Sequence, residues 1–422
     1  MKKFFLLYFV FLFPLNFFSQ EAVLFQFVHK KGDAFSHISK VQEEAYFNGR
    51  LNNKTEFINR TSSSVIEILP DGSEHLLTNY MTTQNSLIQR TGETLSWGEE
   101  ASVKIYRKKN GELYDSDNVF LPTVRNIPSF PSTAVKIGET WQAQGLEVHD
   151  CRELFNMEEA ISIPFTATYT YSAVVPSSEI ATKYSEFSDS DKNGLNQNAN
   201  ILHIIDVYYD FFQDNTSAQF YKNSDFAGAK GYAKQKIYWD AIKNEIAFFE
   251  EEFQIKMVDF YGNAFIFNGI SQGEVTDFTS LNDDENVKKL QNTVKNYNLE
   301  NINVIRGDKG LTLSIENIQF EPDSDILLPS EQEKLRKIGE ILKEFNNDLL
   351  ITGHCAERGT EKARQILSEQ RAKSVADFLI KNKIRDEYHI FTQGKGSTQP
   401  VASNATEKGR SRNRRVEITI MD

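Results

Sequence analysis

The chain has 422 residues, of which 40% are hydrophobic and 25% charged, and its formal net charge is −12. This length fits two or three domains, and the composition is that of a globular protein. The acidic balance argues against nonspecific binding to nucleic acid, because the phosphate backbone attracts cationic proteins. Cys151 and Cys355 are the two cysteines. They lack metal-ligand spacing, so no metal site is predicted, and a disulfide between them is left open.

The N-terminus has the pattern of an export signal. Lys2 and Lys3 precede an apolar run over residues 4–18, which is short for a membrane span and typical of a signal peptide. We therefore expect residues 1–20 to be a signal peptide and the rest of the chain to be exported. An uncleaved anchor is the alternative. No later apolar run is long enough to predict a further helical span.

Residues 21–275 are predicted to be β-rich, because segments with many aromatic and β-branched residues alternate with turn signals. Turns are expected at residues 70–72, 109–111 and 261–263. Residues 176–200 are rich in Ser, Asn and Asp, which predicts a long loop or a break between two β units. The predicted strands include residues 64–69, 102–106, 161–174, 201–212, 233–238, 245–258 and 264–267.

The alternation of apolar and polar residues along these strands is incomplete. Residues 204–209 are apolar on both faces, and Lys and Glu recur inside the predicted strands. Because strands of outer-membrane barrels alternate over about ten residues, we favour a soluble antiparallel sheet or half-barrel over a membrane barrel. The aromatic residues of segment 248–267 are expected to fill an ordinary core. A lipid or another hydrophobic ligand bound in this half is the alternative.

Residues 276–310 are predicted to form a helical connector. Apolar residues recur at helical spacing through residues 283–297, and acidic residues occupy the first turn. Residues 298–310 are rich in turn formers.

From residue 311 onward, predicted strands and helices alternate. The expected order is β-α-β-α-β-β, with helices packed on a mixed sheet. The first helix is predicted to begin at a capping box of Ser330 and Glu333, and the second to cover residues 361–381. The predicted fold class is therefore α+β and multidomain: a β-rich antiparallel N-terminal region, sheet or half-barrel, followed by this C-terminal domain.

Four motifs in this domain carry a resemblance to a known family. The motifs are NIQFEPDSDIL (317–327), ITGHCAERGT (351–360), LSEQRAKSVADFLI (367–380) and GRSRNRRVEI (409–418). Through them, residues 311–422 resemble the OmpA-like peptidoglycan-binding domain, as found in OmpA C-termini and in Pal, whereas residues 21–275 carry no such resemblance. The resemblance implies an envelope protein of a diderm bacterium, in the periplasm or at the outer membrane. Its implied partners are peptidoglycan and outer-membrane or envelope proteins.

In that family the domain holds a zwitterionic diamino acid of the peptide stem, usually diaminopimelate. Arg371 matches the arginine of the family motif, and a guanidinium offers the paired donors that a carboxylate needs. Arg371 also lies on the apolar stripe of its predicted helix. Its guanidinium must therefore reach solvent or pair internally, for which Asp323 or Asp325 is the candidate.

Two positions depart from the family pattern. Ala356 stands where the family has an aspartate, and Arg364 stands where it has an asparagine. Deleting the partner of a buried charge costs about 3–5 kcal/mol, or about a hundredfold in affinity, so we expect diaminopimelate to bind weakly. Otherwise the site takes a different stem residue, holds the amine through Glu357, Asp323 or Asp325, or binds another anion or a protein.

The remaining loop residues are expected to be structural. Gly353 and Gly359 suit tight backbone geometry, and His354 is interpreted as a loop hydrogen-bonding residue. The sequence has no GxSxG, HExxH or P-loop motif, so we predict neither an enzyme nor a cofactor. The main hypothesis is a structural envelope protein that docks on peptidoglycan. The alternative is a degenerate OmpA-like scaffold that binds other proteins.

Overall fold

The structure is a computed structural model. The predicted signal peptide, Asp323 and residues 184–199 of the predicted break lie outside the described residues. In the part of the chain that the structure describes, no helix has the length and apolar character to cross a membrane. The described residues are 22–86, 95–96, 98–118, 120–183, 200–216, 221–278, 284–307, 309–321, 324–345 and 347–421.

Most of the described chain is in strands. In chain order the strands are β1 (Ala34–Phe47), β2 (Arg50–Ile68), β3 (Glu74–Ser86), β4 (Leu95–Ser96), β5 (Glu99–Arg107), β6 (Leu113–Tyr114), β7 (Val124–Arg125), β8 (Thr140–His149), β9 (Ile161–Pro176), β10 (Ile201–Asp214), β11 (Phe226–Asp240), β12 (Glu245–Asp259), β13 (Ala264–Phe278), β14 (Ile302–Gly307), β15 (Gly310–Glu316), β16 (Leu349–His354), β17 (Ile390–Gly394) and β18 (Arg415–Met421). The helices are α1 (Arg152–Phe155), α2 (Ser177–Lys183), α3 (Asp284–Asn296), α4 (Pro329–Leu342), α5 (Glu361–Lys381) and α6 (Glu407–Asn413).

Twelve strands of the N-terminal half form one antiparallel sheet, which confirms the predicted β-rich region. Their order is β6-β5-β3-β2-β1-β13-β12-β11-β10-β9-β8-β7. The two edge strands, β6 and β7, are consecutive in the chain, and the Leu113 N–H donates to Oδ1 of Asn126 at 2.7 Å. The sheet therefore rolls up until its edges nearly meet, as the half-barrel prediction requires. We call it the rolled sheet.

Aromatic side chains fill much of the interior of the rolled sheet. Phe25 and Phe27, which precede β1, and Phe130, which follows β7, are each at most 4% exposed. Their rings surround Trp239, with centroid distances of 6.3, 5.0 and 4.9 Å. The packing buries large apolar surfaces, the main driving force of folding. Phe253 and Phe265 of the segment 248–267 pack partly buried against the same core, whereas Phe260 and Tyr261 are 44% and 78% exposed, so the aromatic residues of that segment fill the core only in part.

Each predicted strand of this half lies within an observed strand, except that the prediction for 64–69 runs one residue past the end of β2, and the three predicted turns are present. At two of these turns, Gly72 and Gly262 adopt φ angles of 83° and 85°, in the left-handed region that glycine tolerates. The predictions did not include β1, β3 or β8. Polar residues interrupt these segments; in β1, for example, Lys40, Glu43 and Glu44 interrupt the apolar pattern.

The C-terminal sheet has the order β14-β15-β18-β16-β17-β4. Strand β17 pairs in parallel with β16 and β4, and the other pairs are antiparallel, so the predicted mixed sheet is confirmed. Helices α4 and α5 cover one face of it. Leu335 and Ile338 of α4 pack with Val375 and Leu379 of α5 and with Ile351 of β16, all at most 1% exposed.

Some local predictions about this half are wrong. Residues 298–310 contain strand β14, which pairs along its whole length with β15, so the C-terminal sheet starts at Ile302. The predicted capping box is absent: α4 begins at Pro329, and its N-cap is Leu328, with no side-chain cap hydrogen bond. Proline fits the first helical turn because its missing N–H has no partner there anyway. Helix α5 has the predicted bounds.

Candidate functional site

The loop of residues 355–360 connects β16 to α5 and is held in place at three points. The Cys355 N–H donates to the Gly396 carbonyl, in the loop after β17, at 2.7 Å. The Glu357 N–H donates to Oδ1 of Asn404 at 3.2 Å. Thr360 caps α5 by accepting from the Ala363 N–H at 3.2 Å. The loops at the carboxyl ends of the parallel strands β16 and β17 therefore meet at one edge of the sheet.

Two glycines allow this arrangement, as expected from the sequence. A Cβ on Gly353 would collide with the backbone of Ser368, so glycine lets α5 approach β16 closely. Gly359 has a φ of 78°, in the left-handed region where other residues are strained.

Ala356 and Cys355 are buried, at 7% and 6% exposure. The position of the family aspartate is thus an apolar site under the loop surface. Glu357 is exposed, and the structure gives its backbone N–H, not its carboxylate, a role in the loop. Both cysteines of the chain are free thiols, which answers the open disulfide question.

Arg364 and Arg371 act electrostatically on Cys355. Burial raises the pKa of the Cys355 thiol, whereas the charges of Arg371 and Arg364 act in the opposite direction. Nη1 of Arg364 donates to the Gly359 carbonyl at 2.5 Å. Its Nε is buried without a hydrogen-bond partner in the described part of the chain. The prediction that the two arginines project from the same side of α5 stays a prediction.

The surroundings of Arg371 explain how its charge is tolerated on an apolar stripe. Its guanidinium lies 4.8 Å from the ring centroid of Phe320, a cation–π distance, and its Nε donates to the Ser324 carbonyl at 3.2 Å. Ser324 lies between the two acids predicted as internal partners. Asp325 is half-buried in this segment, and Asp323 is outside the described residues.

His354 is not a loop residue. It ends β16 and is 2% exposed, with its Nε2 3.4 Å from Oε2 of Glu417. Burial lowers the pKa of His354. Burial opposes ionisation of Glu417 as well, but His354 and Arg415 hold its pKa at about 2. The interpretation of His354 as a loop hydrogen-bonding residue is wrong, because the residue belongs to β16 and its side chain is buried beside Glu417.

The sequence interpretation missed Phe320 and Asn413 as parts of the site. Asn413, 1% exposed, accepts from the N–H groups of Val401 and Ala402 at 2.9 and 3.0 Å and donates to Oδ1 of Asn404 at 2.8 Å. It thereby shapes the loop that holds Glu357. Both residues lie in the quoted motifs, so the signal was present, but their roles depend on contacts between distant segments.

Comparisons with known proteins identify the class of this domain. Residues 319–414 match the family model described as the OmpA family. The C-terminal domain therefore belongs to that family, as the four motifs predict.

The relatives are envelope proteins by name. The peptidoglycan-binding protein ArfA of Mycobacterium tuberculosis is 41% identical over 24% of this chain and 32% of its own length. The probable lipoprotein YiaD of Escherichia coli is 36% identical, over 28% and 55%. Outer membrane protein A of Bordetella avium is 39% identical, over 24% and 53%. The matches thus span about a third to just over half of these relatives, whose names agree with the predicted periplasmic or outer-membrane location.

Among the residues that the structure describes, no group of three or more His, Cys, Asp or Glu side chains is placed to hold a metal ion.

Proposed function

We propose that this protein is a non-enzymatic envelope protein of a diderm bacterium whose C-terminal domain docks on the peptide stems of peptidoglycan. Support comes from the family match of residues 319–414 and from relatives that are peptidoglycan-binding or outer-membrane proteins by name. In this proposal the rolled sheet faces the outer membrane or other envelope proteins, and the loop of residues 355–360 faces the wall.

The chemistry that the site can bind is inferred from the groups around position 356. The guanidinium of Arg364 contacts the loop at the Gly359 carbonyl, the charge of Arg371 acts on the Cys355 thiol, and Ala356 brings no carboxylate. A guanidinium holds a carboxylate through paired N–H donors, and the first turn of α5 also favours an anion. We infer that the site holds the carboxylate of a stem residue and holds the ammonium of diaminopimelate poorly.

The same substitution supports a second candidate function. If the loss of the acid removes wall binding altogether, the domain is a scaffold for protein interaction that retains the OmpA-like fold. The two functions differ in one measurable property, the sedimentation of the protein with intact peptidoglycan.

The test is a sedimentation assay on the chain without residues 1–20, mixed with insoluble peptidoglycan that contains diaminopimelate. We expect weak binding that falls about 10–100-fold in Arg371→Ala, the size of a lost charged hydrogen bond. Arg336→Ala is the matched control, since Arg336 is an exposed arginine of the same domain, paired with Glu333 at 2.8 Å.

The double variant Ala356→Asp with Arg364→Asn restores the family pattern. Because it returns a partner to the ammonium, we expect it to raise affinity by about a hundredfold. Binding by the double variant but not by the unchanged chain supports the scaffold. Equal binding by the unchanged chain, Arg371→Ala and the double variant contradicts a wall site at this loop.

A further inference from the structure

The rolled sheet and the C-terminal sheet are packed face to face. Ile38, Ile58 and Met81, on β1, β2 and β3, form one buried cluster with Leu350 and Phe391, on β16 and β17. Each is at most 3% exposed. The face of the C-terminal sheet opposite its helices is therefore covered by the chain's own N-terminal half. Removal of this apolar surface from water favours the docked arrangement.

The N-terminal half also supplies an edge strand to the C-terminal sheet. Strand β4 lies in the connection between β3 and β5, and it pairs in parallel with β17 through Leu95 with Phe391 and Ser96 with Thr392. An open strand edge is a template for pairing with other chains, and this contact covers it. The two halves thus share main-chain hydrogen bonding as well as an apolar surface.

A chain of four buried charged groups crosses this interface. Arg60 of β2 pairs with Asp348, just before β16. Oδ1 of Asp348 lies 2.7 Å from Nδ1 of His389, and Nε2 of His389 lies 3.4 Å from Oε1 of Glu274 on β13. The side chains of all four are at most 6% exposed. We call Arg60, Asp348, His389 and Glu274 the interface lock.

The interface lock holds the two surfaces together because its positive and negative charges alternate. Arg60 and Glu274 come from the rolled sheet, whereas Asp348 and His389 come from the C-terminal half. Positive and negative groups alternate along the chain when His389 is protonated, and each carboxylate lies next to a cation. Undocking would separate the partners, and a buried charge without its partner is strongly unfavourable.

We propose that the interface lock makes the rolled sheet and the OmpA-like domain one rigid body rather than two domains on a flexible tether. The loop of residues 355–360 is then held at a fixed position relative to the rolled sheet, and whatever it binds takes up a fixed orientation to the rest of the molecule. This inference does not depend on the ligand of the loop.

The chain contains probes that separate the two halves. All three tryptophans, Trp97, Trp141 and Trp239, belong to the N-terminal half, and the long helices α4 and α5 belong to the C-terminal half. Trp141 on β8 and Trp239 on β11 lie in the rolled sheet, whereas Trp97 directly follows β4, which pairs with the C-terminal sheet. In a Trp97→Phe background, tryptophan fluorescence therefore follows the rolled sheet, and far-UV circular dichroism follows mainly the helices of the OmpA-like domain. For one cooperative unit the two urea transitions coincide.

The experiment compares, in this background, the chain without residues 1–20 with its Arg60→Ala variant. We expect coincident transitions in the unchanged protein and two separate midpoints in Arg60→Ala. Lys54→Ala is the control, because Lys54 lies on the same strand in an exposed pair with Glu44, and its transitions should still coincide. If Arg60→Ala does not fold, Glu274→Gln replaces it, since glutamine keeps the shape but not the charge.

A second measurement tests rigidity directly. Small-angle X-ray scattering in native buffer should give the unchanged protein one compact shape and give the lock variant a larger maximum dimension. Separate transitions in the unchanged protein overturn the proposal, and so do coincident transitions with unchanged dimensions in a folded lock variant.

Discussion

Arginines of the rolled sheet and of the C-terminal loop have different surroundings. Inside the rolled sheet, Arg107 donates to Glu74 at 2.8 Å and to Glu245 at 3.2 Å, and its guanidinium lies 4.0 Å from the Phe27 ring. At the C-terminal loop, Nη1 of Arg364 donates to the carbonyl of Gly359 at 2.5 Å. A cation enclosed by acids of its own sheet is part of the fold, whereas a cation that contacts a neutral carbonyl is suited to an incoming anion.

Glu74, which lies beside Arg107 in the rolled sheet, stays ionised because of its hydrogen-bond partners. Burial alone would raise the pKa of Glu74, but its bonds to His29 and Arg107 hold the pKa at about 2. The carboxylate is therefore ionised at any ordinary pH, and its partners are required for it to stay buried.

The largest effect that we predict is for Arg107→Ala. It leaves Glu74 and Glu245 buried without their shared cation, so we expect a loss of about 3–5 kcal/mol in the free energy of unfolding. Urea unfolding followed by tryptophan fluorescence measures it. The neighbouring Lys108→Ala removes an exposed pair with Glu112 and should cost at most about 1 kcal/mol. Equal costs for the two variants would show that the enclosed arginine has no special role.

Alkaline pH is expected to weaken the interface between the two regions, an effect of intermediate size. Burial opposes protonation of His389, but Asp348, Asp386 and Glu274 raise its pKa well above 6.5. A raised pKa in the folded state stabilises the docked form fully below 6.5, and that stabilisation is lost as pH rises through the raised value.

The measurement is the separation of the fluorescence and circular dichroism midpoints from neutral to alkaline pH. We expect the two midpoints to diverge as pH rises, and His389→Gln to remove this dependence because glutamine does not titrate. A divergence that persists unchanged in His389→Gln would assign the effect to another group. At the acid end, Arg60 and His389 outweigh burial and hold the pKa of Asp348 at about 2, below its ordinary 3.8, so its contribution is fully present above 3.8 and is lost progressively as pH falls from 3.8 through about 2.

The smallest effect on stability is expected at the loop. Nε of Arg364 is buried without a hydrogen-bond partner among the described residues, so Arg364→Asn removes mainly the exposed hydrogen bond from Nη1 to the Gly359 carbonyl. We expect the free energy of unfolding to change by less than about 1 kcal/mol, in contrast to Arg107→Ala. A loss above about 2 kcal/mol would show that Arg364 is part of the fold and would weaken its assignment to a ligand site.

Much of the local structure could be predicted from the spacing of apolar residues and from the positions of turn-forming residues. Helix α5 has the predicted bounds, and each predicted strand of the rolled sheet overlaps an observed one. Errors arose where an element's pattern depends on a distant partner. In β1, Nζ of Lys40 lies 3.0 Å from Oη of Tyr388 in the C-terminal half. Because this lysine interrupts the apolar alternation, the segment has the sequence pattern of a polar loop although it is a strand.

The candidate site was predictable to a similar extent. The motifs located Arg371, Arg364 and Ala356, and their spacing predicts that both arginines lie on one side of α5. The ring of Phe320 against Arg371, the burial of His354 in β16 and the support from Asn413 follow from contacts between separate segments. No spacing along the chain encodes those contacts.

By itself the sequence determined the β-rich half, the OmpA-like motifs and the missing acid at Ala356, because residue type and short-range order carry that information. Only the tertiary structure decided that the two halves share an interface. The pair of Arg60 and Asp348 spans 288 positions, and such a pair forms only when each half has already placed its own strand. Local periodicity reports which face of a strand is apolar, but not which distant surface will cover it.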